Sequence, residues 1–189
     1  LELMAVVIII AITVAVAGPA ISDAMAIRRA GEAPVDVITM ARRARAEAVS
    51  TGRAHLVRFT TADDGTFEAY RAVNNSCRGT DWAVITAAGA CGTAASMCIQ
   101  RIAMSEGVYD MDSTDILVTS TGGQALVDIC YQPNGETWWR TTAGGTFVNT
   151  NPGGGGFVFQ FQRRDDGVAV GVTRRASFPI GADPRVQTL

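Results

Sequence analysis

The chain has 189 residues, 48 % of them hydrophobic, with 16 Lys plus Arg against 18 Asp plus Glu and a formal net charge of −2. That length suits one domain of moderate size with an anchor and leaves little room for two domains. The slightly acidic balance is the wrong composition for a protein that coats nucleic acid.

The first element is apolar. From Leu3 to Ala17 the only polar residue is Thr13, and the apolar run extends through Gly18-Pro19 to Ile21. As a helix these residues span about 28 Å at 1.5 Å per residue, close to the ~30 Å hydrocarbon thickness of a bilayer. A core helix would carry a polar stripe every three or four residues, and none is present. A cleaved secretory signal would open with basic residues, whereas the flank here is Glu2. A carboxylate held deep in a bilayer costs about 2.5–3.5 kcal/mol, so Glu2 needs a partner. Arg28 and Arg29 beyond the run would by themselves place the following residues in the cytosol; the cysteines below argue for the opposite side.

Gly31 and Pro34 predict a kink or short break, since Pro removes a backbone donor and clashes with the preceding turn. Gly18-Pro19 predicts a second weak point. From Val35 to Thr51 the pattern is helical: Val37, Met40, Ala41, Ala44 and Ala48 share one face, and Gly52 suits the stop. Arg42, Arg43, Arg45 and Glu47 fall off that face, either as a solvated surface or as charges for an acidic neighbouring subunit.

Beyond His55 the signals become β. Ala54–Thr60 and Phe67–Val73 pair across Asp63-Asp64-Gly65. Asp115–Ser120, Gln124–Gln132 and Glu136–Thr141 form a meander, with Asn134-Gly135 as a strong hairpin turn. Phe157–Arg163 alternates, and Val168–Phe178 returns across Asp165-Asp166-Gly167. Asn74–Met111 reads as a long loop with a short helix. Trp138 and Trp139 alternate faces, one in the core and one exposed or at an interface. The expectation is therefore an α+β chain: residues 1–30 as a membrane and filament helix, 31–53 as a second helical segment, and 54–189 as an extracytoplasmic antiparallel β domain.

Four cysteines, Cys77, Cys91, Cys98 and Cys130, lie in that domain. There is no CxxC pair, which disfavours a metal site. Two disulfides in an oxidising compartment fit better, and four cysteines permit three pairings. No catalytic constellation appears, because His55 is the only histidine and nothing else supports a triad; the chain reads as no enzyme and implies no cofactor. Asp110, Asp112 and Asp115 are close enough together for calcium but lack the glycine and distal Glu of an EF-hand loop, so they read as loop acids. Residues 151–156 (NPGGGG) lack the Lys-Ser/Thr ending of a phosphate loop.

The segment LELMAVVIIIAITVAVAGPA resembles the mature N-terminus of type IV pilins and pseudopilins, including the seventeen-residue spacing from Glu2 to Pro19. VDVITMARRARAEAVSTGRAHLVRF, ICYQPNGETW and VAVGVTRRASF resemble, in order, the helix-to-strand passage, a strand–turn–strand segment and the final strand of the GspH/FimT-type pseudopilins. The resemblance implies a methylated aromatic residue about three positions before Leu1. It also implies processing by a prepilin peptidase, and an inner-membrane helix that an assembly platform packs into a helical filament with copies of itself or other pilins. Glu2, Leu3, Val7, Ile10, Val14 and Pro19 are then the assembly residues. The filament would stand in the periplasm or at the cell surface, as a secretion pseudopilus or a type IV pilus. Some FimT-side relatives bind DNA through basic C-terminal residues, which would map onto Arg163, Arg164, Arg174 and Arg175; the acidic whole-chain balance argues against that role here.

Overall fold

The computed structural model describes residues 2–61, 64–79, 82, 91, 97–149, 156–179 and 181–188; for Glu2 and Pro19 it describes the backbone alone. Among these residues one α-helix, α1 (Glu2–Thr51, 50 residues), leads into ten strands. At 1.5 Å per residue α1 is about 75 Å long. It ends where Gly52 adopts φ +69° and donates to the Ala48 carbonyl at 3.2 Å, the left-handed stop that glycine accepts without strain.

Neither Gly18-Pro19 nor Gly31-Pro34 interrupts the helix. The break expected at 31–34 is therefore corrected, and the two helical segments are one element. Local propensity loses to tertiary contact here. Asp23, Gly31 and Asp36 of α1 are all bonded to groups of the β domain, so the helix is held on both sides of Pro34.

The strands are β1 (His55–Thr60), β2 (Thr66–Arg71), β3 (Cys98–Ala103), β4 (Ile116–Ser120) and β5 (Leu126–Tyr131), followed by β6 (Thr137–Arg140), β7 (Phe157–Asp165), β8 (Val168–Ala169), β9 (Arg174–Phe178) and β10 (Arg185–Thr188). All pairings are antiparallel. The first sheet has the order β3-β2-β1-β5-β6; the second runs β10-β9-β7-β4, with β8 beside β7. The hairpins at residues 61–65, 132–136 and 166–167 fall where the turn residues placed them. Two strands were not foreseen. β3 hides in the Gly/Ala-rich segment read as loop, and β10 is a four-residue edge strand after Pro184. The return strand expected over Val168–Phe178 is split into β8 and β9, because Gly171 turns the chain at φ +70°. The helix expected within 74–111 falls largely on residues outside those described.

The five residues assigned to one face of α1, Val37, Met40, Ala41, Ala44 and Ala48, are all buried. The helix lies against β1, β2 and β5 of the first sheet and β7, β9 and β10 of the second. Between the sheets sit Phe59, Phe67, Phe159, Phe161 and Phe178, with Phe59 and Phe159 centroids 4.8 Å apart and Phe159 edge-on to Phe178 at 5.2 Å. The opposite face of the first sheet carries a second core of Leu56, Tyr70, Cys77, Trp82, Cys130, Trp138 and Phe147. The first sheet is therefore covered on both faces, and β1 is buried at every residue.

Candidate functional site: the uncovered helix and the buried charge row

The apolar run of α1 up to Ile21 is exposed among the described residues. Leu3, Val7, Ile10 and Val14 are 79 %, 56 %, 56 % and 65 % exposed, and the exposed apolar series continues to Ile27. Thr13, the one polar residue of the run, turns its hydroxyl back onto the Ile9 and Ile10 carbonyls at 3.0 and 2.8 Å. Such back-bonding lets a hydroxyl sit in apolar surroundings without an external partner. This is one helix long and apolar enough to cross a membrane. The Glu2 and Pro19 side chains lie outside the described residues.

From Asp23 onward the same helix meets the head. Asp23 faces Arg163 Nη2 at 3.4 Å, and Arg29 donates to the Tyr109 carbonyl at 3.3 Å. Tyr109 donates its hydroxyl to Asp36, and burial followed by this bond raises the phenol above its ordinary value. Arg42 forks onto the Pro184 carbonyl at 2.8 and 3.0 Å, and Arg45 pairs with Asp183 at 2.8 Å. The basic cluster of α1 thus grips its own C-terminal segment.

The four arginines read as one basic group are divided by strand parity. Arg163 and Arg174 share the face of Phe161 and turn to α1, where they meet Asp23 and the Gly31 carbonyl. Arg164 and Arg175 lie on the other face, with Arg164 against the Ser113 carbonyl at 3.4 Å. Trp138 and Trp139 also part, but both are packed: Trp138 in the second core, Trp139 against Phe157 at 5.1 Å.

Cys77 bonds Cys130, and Cys91 bonds Cys98. The first bridge ties the loop after β2 to the C-terminal end of β5; the second ties the approach to β3. Asp112 accepts from the Thr114 hydroxyl at 2.6 Å and from its amide at 2.7 Å, and those bonds lower its pKa. No group of three metal-ligating side chains occurs among the described residues.

Sequence reasoning missed a row of charge crossing the whole first sheet. The register aligns Arg101 with Glu68, Glu68 with Arg58, Arg58 with Asp128, and Asp128 with Arg140. Arg58, Glu68 and Asp128 are fully buried, and Arg140 is 5 % exposed. Arg58 grips Asp128 with two bonds, Nε to Oδ1 at 2.7 Å and Nη2 to Oδ2 at 2.8 Å, and Arg140 Nε reaches Oδ2 at 2.6 Å. Burial acts to lower the Arg58 pKa, but the Asp128 bond and charge overcome it and raise the value. Tyr70 donates to Glu68, and Arg101 lies 3.6 Å from the same carboxylate. A signal was available: strands β1, β2, β5 and β6 were all foreseen, the first three carry a charge flanked by apolar residues, and β6 carries one after two tryptophans. The Asn134-Gly135 turn lies midway between Asp128 and Arg140, which sets that pair opposite each other.

Comparisons with protein-family models, with curated proteins and with solved structures found no match.

Proposed function

We propose that this chain is a structural subunit of a type IV pilus-like filament or of a type II secretion pseudopilus, acting mechanically rather than as an enzyme. The observation that carries it is the split personality of α1. The apolar run from Leu3 to Ile21 is uncovered, while the Ala33-to-Ala48 stripe of the same helix lies at the centre of a disulfide-tied head.

In this reading the apolar half stands in the inner membrane and the head outside it, where disulfides persist. Prepilin peptidase processes the precursor, and an assembly platform then moves the helix from lipid into a bundle of like helices, copies or other pilins. Lipid and protein interior are both apolar, so the transfer costs little hydrophobic free energy, and close packing decides the outcome. Glu2 pairs with a neighbour's N-terminal amine and sets the axial register; breaking such a pair in low dielectric is costly.

Electron microscopy and mass spectrometry of sheared surface fibres test this. Wild-type chain should be found in the fibres. Glu2→Ala should leave the protein in the membrane and remove it from fibres. Normal incorporation of that variant, or absence of the wild-type chain from fibres, refutes the reading.

A further inference from the structure

The charge row holds three arginines, Arg101, Arg58 and Arg140, against two carboxylates, Glu68 and Asp128. At the β3 end the surplus is met by surface-exposed Glu106, which accepts from Arg101. At the β6 end no such acid stands among the described residues. Arg140 spends Nε on Asp128 and Nη1 on the Gly145 carbonyl at 3.2 Å, and its guanidinium lies over the Phe147 ring at 4.5 Å. Its Nη2 is buried and meets no acceptor among the described residues. Nearby, the buried Trp82 indole Nε1–H is equally unmet. Trp138 differs, because its indole donates to Glu136 at 3.3 Å.

Arg140 and Trp82 line one cleft of about 550 Å³, together with Arg78, Gly145, Phe147 and Cys77. That is within the range of small-ligand sites. Each buried donor left unbonded costs about 1–3 kcal/mol, so two at one place need an explanation. Arg78 stands at the rim, exposed, with its guanidinium 4.3 Å over the Trp138 ring. The Cys77–Cys130 bridge fixes one wall to the C-terminal end of β5.

We propose that this cleft binds a carboxylate group carried on an apolar body, with Arg140 Nη2 and the Trp82 indole as its two donors and Arg78 as the rim charge. A carboxylate offers two acceptor oxygens and one negative charge, matching the two lone donors and the single rim cation, Arg78. A phosphate dianion brings more charge than the one rim cation offsets and a larger desolvation cost. Phe147 and Trp82 supply the flat apolar walls for the body of the ligand. The site is independent of the filament reading, since it lies on the head away from the apolar helix.

The probe is phenylacetate, titrated into the full chain in detergent micelles and followed by the indole N–H signals in nitrogen–proton NMR, with Trp82→Phe identifying the Trp82 signal. That signal should move saturably with phenylacetate and stay in place with the neutral isostere phenylacetamide. Arg140→Gln should abolish the shift. Arg78→Gln leaves the buried row intact and should weaken binding about fivefold, the effect of roughly 1 kcal/mol from a rim charge. No saturable shift, an equal shift with phenylacetamide, or full retention of affinity in Arg78→Gln overturns the proposal. Inorganic phosphate displacing phenylacetate more tightly than phenylacetate itself binds would reassign the site to phosphate and also overturn it.

Discussion

The guanidinium of Arg174 on β9 donates to the carbonyl of Gly31 inside α1, three residues before Pro34. Pro34 has no N–H for the Ala30 carbonyl and crowds the turn before it. An external cation at the neighbouring carbonyl offsets that local loss, since hydrogen bonds to charged groups contribute about 1.5–3 kcal/mol. A Cβ on Gly31 would stand 3.0–3.2 Å from three atoms of that guanidinium, so glycine leaves the room in which Arg174 fits. Arg174→Ala should speed hydrogen exchange of the amides around residues 32–38 by tenfold or more, at about 1.4 kcal/mol per decade. Gly31→Ala alone should change stability little, because about 1 kcal/mol of helix propensity is offset by displacing Arg174. Placed on top of Arg174→Ala, the same change should stabilise by about 1 kcal/mol; an additive pair would show that the two residues do not interact.

Asp128 accepts from two buried arginines at once. Asp128→Asn keeps the shape and removes the charge between them. The expected loss is about 3–5 kcal/mol of unfolding free energy, the cost of uncompensated buried charge. Glu106→Gln, at the solvent end of the same row, should cost no more than about 1 kcal/mol. Denaturant unfolding of the full chain in micelles compares them, and equal effects would refute the importance of burial.

His55 is fully buried, with Nδ1 3.1 Å from the Arg53 carbonyl and Nε2 3.4 Å from a Glu47 oxygen. Burial lowers its pKa below the ordinary 6.5, while the Arg53 carbonyl and the Glu47 charge pull the other way without prevailing. Between the lowered folded value and 6.5 the unfolded chain binds more protons than the folded one. Stability should therefore fall as pH drops below about 6.5 and level off below the folded pKa. His55→Gln should lose less stability than wild type between about pH 8 and about pH 5.5. Identical pH slopes in denaturant titrations would show that His55 does not carry the effect.

The two disulfides should differ in weight. Cys77–Cys130 spans 53 positions and Cys91–Cys98 spans 7. Loop-closure entropy assigns about 4 kcal/mol to the first and about 2 kcal/mol to the second. Paired Cys→Ala variants, melted under the same conditions, should keep that order.

Much of the architecture was legible because local signals agreed with it. The apolar run, the Val37-to-Ala48 stripe, Gly52, and the turns at Gly65, Gly135 and Gly167 each fix a boundary from one or two residues. Gly31-Pro34 misled for the opposite reason: its effect depends on Arg174, more than a hundred residues away, and no local pattern reports that. β3 was hidden by the Gly and Ala around it. The buried row escaped because each of its charges reads singly as a surface residue. Only the strand register turns Arg101, Glu68, Arg58, Asp128 and Arg140 into one line, and only burial on both sheet faces puts that line out of water.

The continuity of α1 makes the head and its stem a single stiff lever. A pull along the apolar end reaches Ala33, Val37 and Ala44 with no hinge between. It arrives between the two sheets, near Phe59 and Phe159, rather than at a flexible tether outside them. A tug on the stem is therefore resisted by the interlocked aromatic interior, and slipping the helix by one turn, about 5.4 Å, would unseat Arg174, Tyr109 and Arg42 together.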